Sequence, residues 1–339
     1  MTDPKTLLVA VTALVVAGMT LPPASAQDSA AEAKKPRFTI DGAFTWMGTW
    51  GNDIPVAETI SIDRQFDADS VAFDERINRL VAEMRRKGVP WIQFAFEHDK
   101  WGISAEFWTL DTSGSAQTGD EPFEGFRYHD LADTLEDTEL DVRAENKLSV
   151  WAARVLLLRK LSKPLTLGVG LHTAELDNRR NETLNLATAP LFFPLEAVLE
   201  TDSKSSGTLV GPSVALRGSG KIGGRATVRF TAAQSILFAS FEDQSKWQST
   251  ITFGGDFLPD KREILTLDSS TRVAIPVTDA RALLSFDLGS HVSVGVLGLL
   301  SIWFDAPLAL QFSQATEGWN EASSTLVFAS VGPTLTVRF

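Results

Sequence analysis

The last residues of the chain, VFASVGPTLTVRF (residues 327–339), alternate between two kinds of side chain. One set is apolar and comprises Val327, Ala329, Val331, Pro333, Leu335, Val337 and Phe339. The other set is mostly small or polar and comprises Phe328, Ser330, Gly332, Thr334, Thr336 and Arg338. Successive residues of a β-strand point to opposite faces, so one face suits lipid and the other suits a lumen. The pattern predicts a transmembrane β-barrel.

The same alternation predicts nine further strands, at residues 37–50, 91–97, 102–110, 148–159, 165–172, 208–217, 225–238, 280–288 and 292–304. Short connections, at residues 98–101, 161–164, 218–224 and 289–291, fall between an even-numbered strand and the next odd one. Barrels of this class place short turns in the periplasm and longer loops outside the cell. The sequence therefore predicts an all-β fold, an antiparallel barrel of about ten strands, with eight to twelve possible.

One segment departs from the period of two. Between the first two strands, apolar residues recur at helical spacing over residues 70–88, at Phe73, Ile77, Leu80, Val81 and Met84. Ser70 is placed to cap the start, and Gly88 and Pro90 to end it. We expect a short amphipathic helix, packed on a loop or across the barrel mouth, or inserted as a plug.

The N-terminus has the features of a secretory signal peptide. Lys5 precedes the apolar run of residues 7–19, and Ala24 and Ala26 stand three and one positions before Gln27, as a signal peptidase requires. We expect residues 1–26 to be removed, residues 27–35 to form a periplasmic segment, and residues 36–339 to form the barrel.

Composition excludes several classes of site and partner. The chain has no cysteine, which excludes thiol catalysis and cysteine-based metal sites. After Met19, the sequence contains no apolar run near the ~20 residues that a membrane helix needs. The net charge of −12 argues against nucleic acid as a partner. We expect no cofactor and no metal centre.

The terminal residues resemble the C-terminal signal of Gram-negative outer-membrane proteins. That signal ends in an aromatic residue with apolar residues two and four positions before it, here Phe339, Val337 and Leu335. The resemblance implies location in the bacterial outer membrane, contact with lipid and lipopolysaccharide, and recognition by the barrel-assembly machinery.

Two further stretches carry narrower resemblances. Residues 62–114, with Glu97-His98-Asp99-Lys100-Trp101-Gly102, are similar to uncharacterised outer-membrane barrels that carry a helix and then a Glu-Ala-Arg-Lys-Gly-x-Trp-Gly hairpin, although the hairpin differs before the Lys. Residues 275–305 are similar to the Legionella-type major outer-membrane protein family, which implies pore formation. Neither resemblance implies a particular substrate.

The lumen face is predicted to carry charges of both signs. The predicted inward polar residues are Asp41, Glu97, Glu106, Arg154, His172, Arg217, Arg225, Arg229, Asp279, Arg281 and Asp287. Such charges either pair across a closed lumen or line a wet passage. Because about ten strands enclose a space that side chains nearly fill, we expect a constricted or plugged lumen.

Two pairs of residues, each containing a histidine, have the composition of a catalytic site. His291 and Ser293 share one strand face, as an outer-membrane phospholipase requires, but they belong to a periplasmic turn. His129 and Asp130 lie in an acidic outer loop, yet adjacent strand residues point apart. Neither pair predicts an enzyme.

The loop of residues 111–147 is strongly acidic. We expect it to be a solvated surface or a surface that binds divalent cations.

Three functions follow, in order of preference. The first is a narrow or gated pore for small polar solutes. The second is a structural or surface-interaction barrel of the cell envelope, and the third is an outer-membrane hydrolase. The sequence leaves the solute, the partner and the oligomeric state open.

Overall fold

A computed structural model describes the backbone of residues 36–51, 55–67, 70–117, 125–128, 131–133, 138–188, 195–253, 261–313 and 318–339. Side chains are described for residues 36–51, 82–117, 141–185, 196–252, 261–309 and 323–339. The predicted signal peptide, its cleavage residues Ala24, Ala26 and Gln27, and the segment of residues 27–35 lie outside the described residues.

The described residues are almost entirely β-strand. The strands are β1 (Arg37–Trp50), β2 (Pro55–Asp67), β3 (Ser70–Val81), β4 (Lys87–His98), β5 (Trp101–Gln117), β6 (Gly125–Tyr128), β7 (Leu131–Asp133), β8 (Thr138–Lys160), β9 (Leu165–Thr188), β10 (Leu195–Ile222), β11 (Ala226–Phe253), β12 (Lys261–Asp287), β13 (Val292–Ser313) and β14 (Gly318–Arg338). Ten of them close a barrel in the order β1-β14-β13-β12-β11-β10-β9-β8-β5-β4, and β3-β2-β6-β7 form a separate sheet. The predicted ten-stranded antiparallel barrel is confirmed.

Pairing of the first and last strands closes the barrel. β1 pairs antiparallel with β14 from Thr39 and Arg338 to Trp50 and Val327, and with β4 on its other edge. The backbone N–H of Phe339 adds a 2.9 Å hydrogen bond to the carbonyl of Phe38. A closed ring pairs backbone groups for which the hydrocarbon core offers no partner.

Four short turns lie at one end of the barrel, as predicted. They are Asp99-Lys100 between β4 and β5, residues 161–164, residues 223–225 and residues 288–291. Asp99 and Gly223 adopt the left-handed backbone conformation, with φ of 50° and 66°, that tight turns demand. By the rule for this class, the end with these turns is periplasmic.

The narrow barrel brings neighbouring backbones very close on the lumen face. A Cβ atom at Gly170 would lie 1.9 Å from the carbonyl oxygen of Val155, and one at Gly332 would lie 2.2 Å from that of Phe44. Only glycine permits this approach, which bends the sheet sharply enough to close.

The outer surface carries an apolar band. Outward residues such as Phe44, Val169 and Leu171 are 47–61% exposed, which suits contact with acyl chains. Aromatic residues mark both edges of the band: Trp101 stands near the turns, and Trp46 and Trp151 stand toward the other end. Trp151 donates a 2.7 Å hydrogen bond to Glu175, as an interfacial tryptophan can. No helix in the described part of the chain has the length and apolar character of a membrane span.

Four strands are much longer than a bilayer requires. β9 to β12 contain 24, 28, 28 and 27 residues, whereas a tilted strand spans the hydrocarbon core in about 9–11 residues. Beyond the band their outward faces become polar, as at Lys204, Glu242 and Asp268. These strands therefore extend the wall of the barrel by roughly 50 Å along the strand direction on the extracellular side.

The predicted helix of residues 70–88 is wrong. Residues 70–81 form β3, which pairs with β2 in a long hairpin, and Lys87 already begins β4. Val71, Phe73 and Ile77 also fit a period of two, so the local pattern was ambiguous. Pairing with β2, the preceding strand of the same hairpin, selected the strand.

The exposed band predicts how arginine substitutions will affect stability. Val169→Arg places a charge against acyl chains and should lower the free energy of unfolding by about 2–4 kcal/mol. Gln244→Arg, on the polar outer wall, should change it by less than about 0.5 kcal/mol. Urea unfolding in lipid vesicles, followed by tryptophan fluorescence, checks both; equal effects would contradict the placement of the band.

Candidate functional site in the barrel lumen

At the periplasmic end, ion pairs join strands across the lumen. Arg229 of β11 donates two hydrogen bonds, of 2.7 and 2.8 Å, to the carboxylate of Asp41 on β1, and one of 3.1 Å to Thr336. Thr336 also donates to Asp41, which is fully buried. Asp287 accepts hydrogen bonds from Ser293 at 2.7 Å and Arg338 at 2.8 Å. Bidentate pairing satisfies charges that the strand alternation forces inward.

Above this end lies a cluster that we name the charged cage: Glu106, Arg154, Asp279 and Arg281. Glu106 pairs with Arg154 at 3.2 Å and also with Arg281, and Arg154 pairs with Asp279. Arg281 on β12 and Glu106 on β5 are five strands apart in the ten-stranded ring, so their contact crosses the lumen. The guanidinium of Arg281 also stacks 5.0 Å from the centre of the Trp91 ring.

Further polar side chains lie beside the charged cage on the lumen face. His172 Nδ1 lies 3.1 Å from the hydroxyl of Ser235 and 3.4 Å from Arg154, and Ser235 donates to Ser213 at 3.0 Å. Arg217 donates a 2.6 Å hydrogen bond to Ser104. All these side chains point inward, and His172, Ser235 and Ser213 form a chain of contacts that begins at Arg154.

Two of the sequence-predicted lumen residues lie apart from these clusters. Glu97 is exposed near the β4–β5 turn. The expectation for Arg225 is wrong, because this residue is the exposed last position of the β10–β11 turn. Gly223, with φ of 66°, starts the turn and moves the beginning of β11 to Ala226.

An apolar layer lies above the charged cage, and we name it the apolar seal. Each of the ten barrel strands contributes at least one buried side chain: Met47, Trp91, Leu110, Leu148, Leu176, Leu209, Leu237, Phe241, Ile275, Trp303 and Phe328. None is more than 3% exposed. The ring of Phe328 lies 5.6 Å from those of both Trp303 and Trp108. The lumen therefore holds no continuous column of water at this level.

Beyond the seal, on the extracellular side, the inner faces of β8 to β11 become polar again. We name this group the outer polar cluster: Asn146, Asn178, Arg180, Glu182, Ser203, Ser205, Asp243 and Ser245. None of its side chains is more than 5% exposed. Arg180 pairs with Glu182, and the Nδ2 atom of Asn178 donates to Asn146 at 3.4 Å.

The outer part of β13 covers this cluster. β12 pairs with β13 only as far as Val277 and Trp303. A bulge follows Trp303, and Asp305 has a φ of 53°, which redirects the strand. β13 also contacts β9, β10 and β11, which are not its ladder partners, and we name its residues 306–309 the β13 lid. The backbone N–H of Ala309 donates a 3.0 Å hydrogen bond to Asn178 Oδ1, so β13 crosses the barrel mouth.

The residues considered for catalysis do not assemble into a nucleophilic site. Ser293 donates to Asp287, whereas His291 Nδ1 lies 3.0 Å from the backbone carbonyl of Arg338. His129 and Asp130 lie outside the described residues. Within the described part of the chain, no three acidic or histidine side chains form a group that could hold a metal ion.

The comparisons with known proteins return outer-membrane barrels. The chain is similar to the Escherichia coli outer membrane protease OmpT, with 9% identity, 92% of this chain and 99% of that chain covered, and a TM-score of 0.45. It is similar to the toluene transporter TodX of P. putida, with 8% identity, 89% of each chain covered and a TM-score of 0.28. No family model and no curated protein matches the chain.

The closed barrel and its exposed apolar band make this chain a protein of the bacterial outer membrane. That conclusion rests on the described fold and on the faces of the strands.

Sequence reasoning missed the apolar seal and the outer polar cluster. Trp303 lies in a predicted strand, but neighbouring Phe304 is equally apolar, so hydropathy does not separate their faces. The alternation from His172 does continue through Asn178, Arg180 and Glu182, and extending it would have found the cluster. The polar outward residues beyond the membrane hid that continuation.

The charged cage predicts non-additive effects on stability. Arg281→Met leaves the carboxylate of Glu106 with less compensation and should lower the unfolding free energy by about 3–5 kcal/mol. Adding Glu106→Gln removes the stranded charge and should restore part of that loss. Urea unfolding of Arg281→Met, of Glu106→Gln and of the double variant provides the measurement. Simple addition of the two single-variant losses would contradict direct pairing.

Proposed function

We propose that this protein is a gated outer-membrane passage for small polar solutes and that the described conformation is its closed form. The observation that carries the proposal is the layering of the lumen. One apolar layer, the seal, separates the charged cage from the outer polar cluster, and the β13 lid covers the outer end.

The charged cage favours a passage over a barrel whose lumen is filled only to stabilise the fold. Burying four charged groups is unfavourable relative to apolar residues of similar volume, which often stabilise a protein equally well or better. A barrel that only anchors or braces the envelope has no need of Glu106, Arg154, Asp279 and Arg281 in its lumen. In a passage, the same groups provide a polar wall when the seal opens and water enters.

The geometry at the lid supports gating at the extracellular end. Because β13 leaves β12 after Trp303, residues 261–276 of β12 have no strand partner on that edge among the described residues. The lid can therefore leave the mouth without breaking the backbone pairing between β12 and β13.

Thinning the seal should increase conduction. Trp303→Ala removes one of the two tryptophan side chains of the seal, and planar-bilayer recording should show openings that are several-fold more frequent than in the parent protein. Phe304→Ala is the matched control, because Phe304 is the next residue but is 38% exposed on the outer side. Absence of conductance steps in both the parent and Trp303→Ala, with folding verified by heat-modifiable migration, would overturn the proposal.

A second function, a surface-interaction barrel that supports the envelope, is favoured by the extracellular extension of β9 to β12. Reversing three outward charges with Glu200→Lys, Asp202→Lys and Glu242→Lys leaves the lumen unaltered. If the outer wall acts in this way, cells carrying the triple variant should become more sensitive to detergent, while single-channel behaviour is retained. Unchanged sensitivity would count against this second function.

A further inference from the structure

The outer polar cluster places unlike polar groups side by side on one inner wall. In one cross-strand row, Asn146, Arg180, Ser203 and Ser245 follow one another from β8 to β11. In the adjacent row, Asn178, Ser205 and Asp243 do the same. Directly paired residues have Cβ atoms about 4.5–5.5 Å apart, so all these groups can reach one small molecule.

Four polar atoms of this wall have neither a hydrogen-bond partner nor an ion-pair partner within the described structure. They are the hydroxyl oxygens of Ser203, Ser205 and Ser245 and the Nη1 atom of Arg180. All four residues are at least 95% buried, and all belong to the inward face. A buried group without a partner destabilises the fold, and three adjacent hydroxyls with this property indicate a site that a hydroxyl-rich molecule completes.

The charges of the cluster restrict the class of ligand. Arg180 contributes one positive charge, and Glu182 and Asp243 contribute two negative charges. The resulting excess of negative charge disfavours anions. Serine hydroxyls and asparagine amides both donate and accept hydrogen bonds, which suits a neutral polyhydroxylated ligand. Phe241 and Trp247, on the same inner face, provide apolar surface for the carbon atoms of such a ligand.

We propose that the outer polar cluster is a binding site for a small neutral saccharide that enters from the extracellular side. The site deepens the proposed function and rests on it, because the saccharide would be the solute, or one solute, of the passage. The β13 lid occupies the site in the closed form, with Ala309 bonded to Asn178, and the saccharide replaces it.

We place the hinge of the lid at Asp305, where the direction of β13 changes. Asp305 is a non-glycine residue with a φ of 53°, and such residues recur at ligand clamps and switch regions. Three of the four lid residues, Ala306, Leu308 and Ala309, are apolar and are exposed by 0%, 3% and 0%. Displacement of the lid therefore separates no ion pair among these three side chains.

Binding of maltose to the full-length protein tests the proposal directly. The protein is held in a detergent without a sugar headgroup, and saturation-transfer NMR and calorimetry are recorded with maltose. We expect binding at millimolar concentrations. Ser203→Ala combined with Ser205→Ala should weaken it about tenfold, because two hydrogen bonds to the saccharide are lost. Ser206→Ala, on the outer side of the same strand, is the matched control and should bind like the parent.

Two further measurements separate the possible outcomes. Leu308→Ala loosens the lid and should strengthen maltose binding; absence of binding in both the parent and this variant overturns the saccharide site. Gluconate binding as tightly as maltose overturns the assignment to a neutral ligand. Because binding is measured without a membrane, a protein that conducts but does not bind maltose refutes only this site, whereas one that binds but never conducts refutes the passage.

Discussion

A bilayer offers no hydrogen-bond partner to a backbone amide, and every other feature of this protein follows from that constraint. β1 and β14 pair with each other, so neither leaves an open edge in the hydrocarbon core. Closing the ring with ten strands produces a narrow lumen. Inward side chains from opposite walls reach the centre of this lumen. The lumen can therefore be sealed by side chains alone, and the contact between Trp303 and Phe328 is part of that seal.

The membrane-spanning half of the fold was predictable because lipid and lumen impose different side chains on the two faces. The segment from Leu165 to His172 shows this contrast clearly, and it begins β9 where expected. Above the membrane both faces meet water or protein, the contrast weakens, and the remaining residues of β9 to β12 were missed. β3 was taken for a helix because its partner, β2, is defined only by the folded chain.

The candidate site was predictable in composition but not in arrangement. The alternation of faces along each strand predicted that Glu106, Arg154, Asp279 and Arg281 point into the lumen, and all four meet there. The alternation alone could not predict that Glu106 on β5 reaches Arg281 on β12, because contacts across the lumen depend on the number of strands and on their stagger. Nor could it reveal the β13 lid, since the bulge after Trp303 arises from an interruption of pairing.

The pairing between Thr39 and Arg338 also sets the order of events during assembly. These residues stand at opposite ends of the barrel sequence, and joining segments so far apart carries a loop-closure entropy of about 5 kcal/mol. The hairpins from β8 to β14 need no such long-range encounter and can form before it. Their association should precede the meeting of β1 with β14, which makes ring closure the slow and committing step of biogenesis.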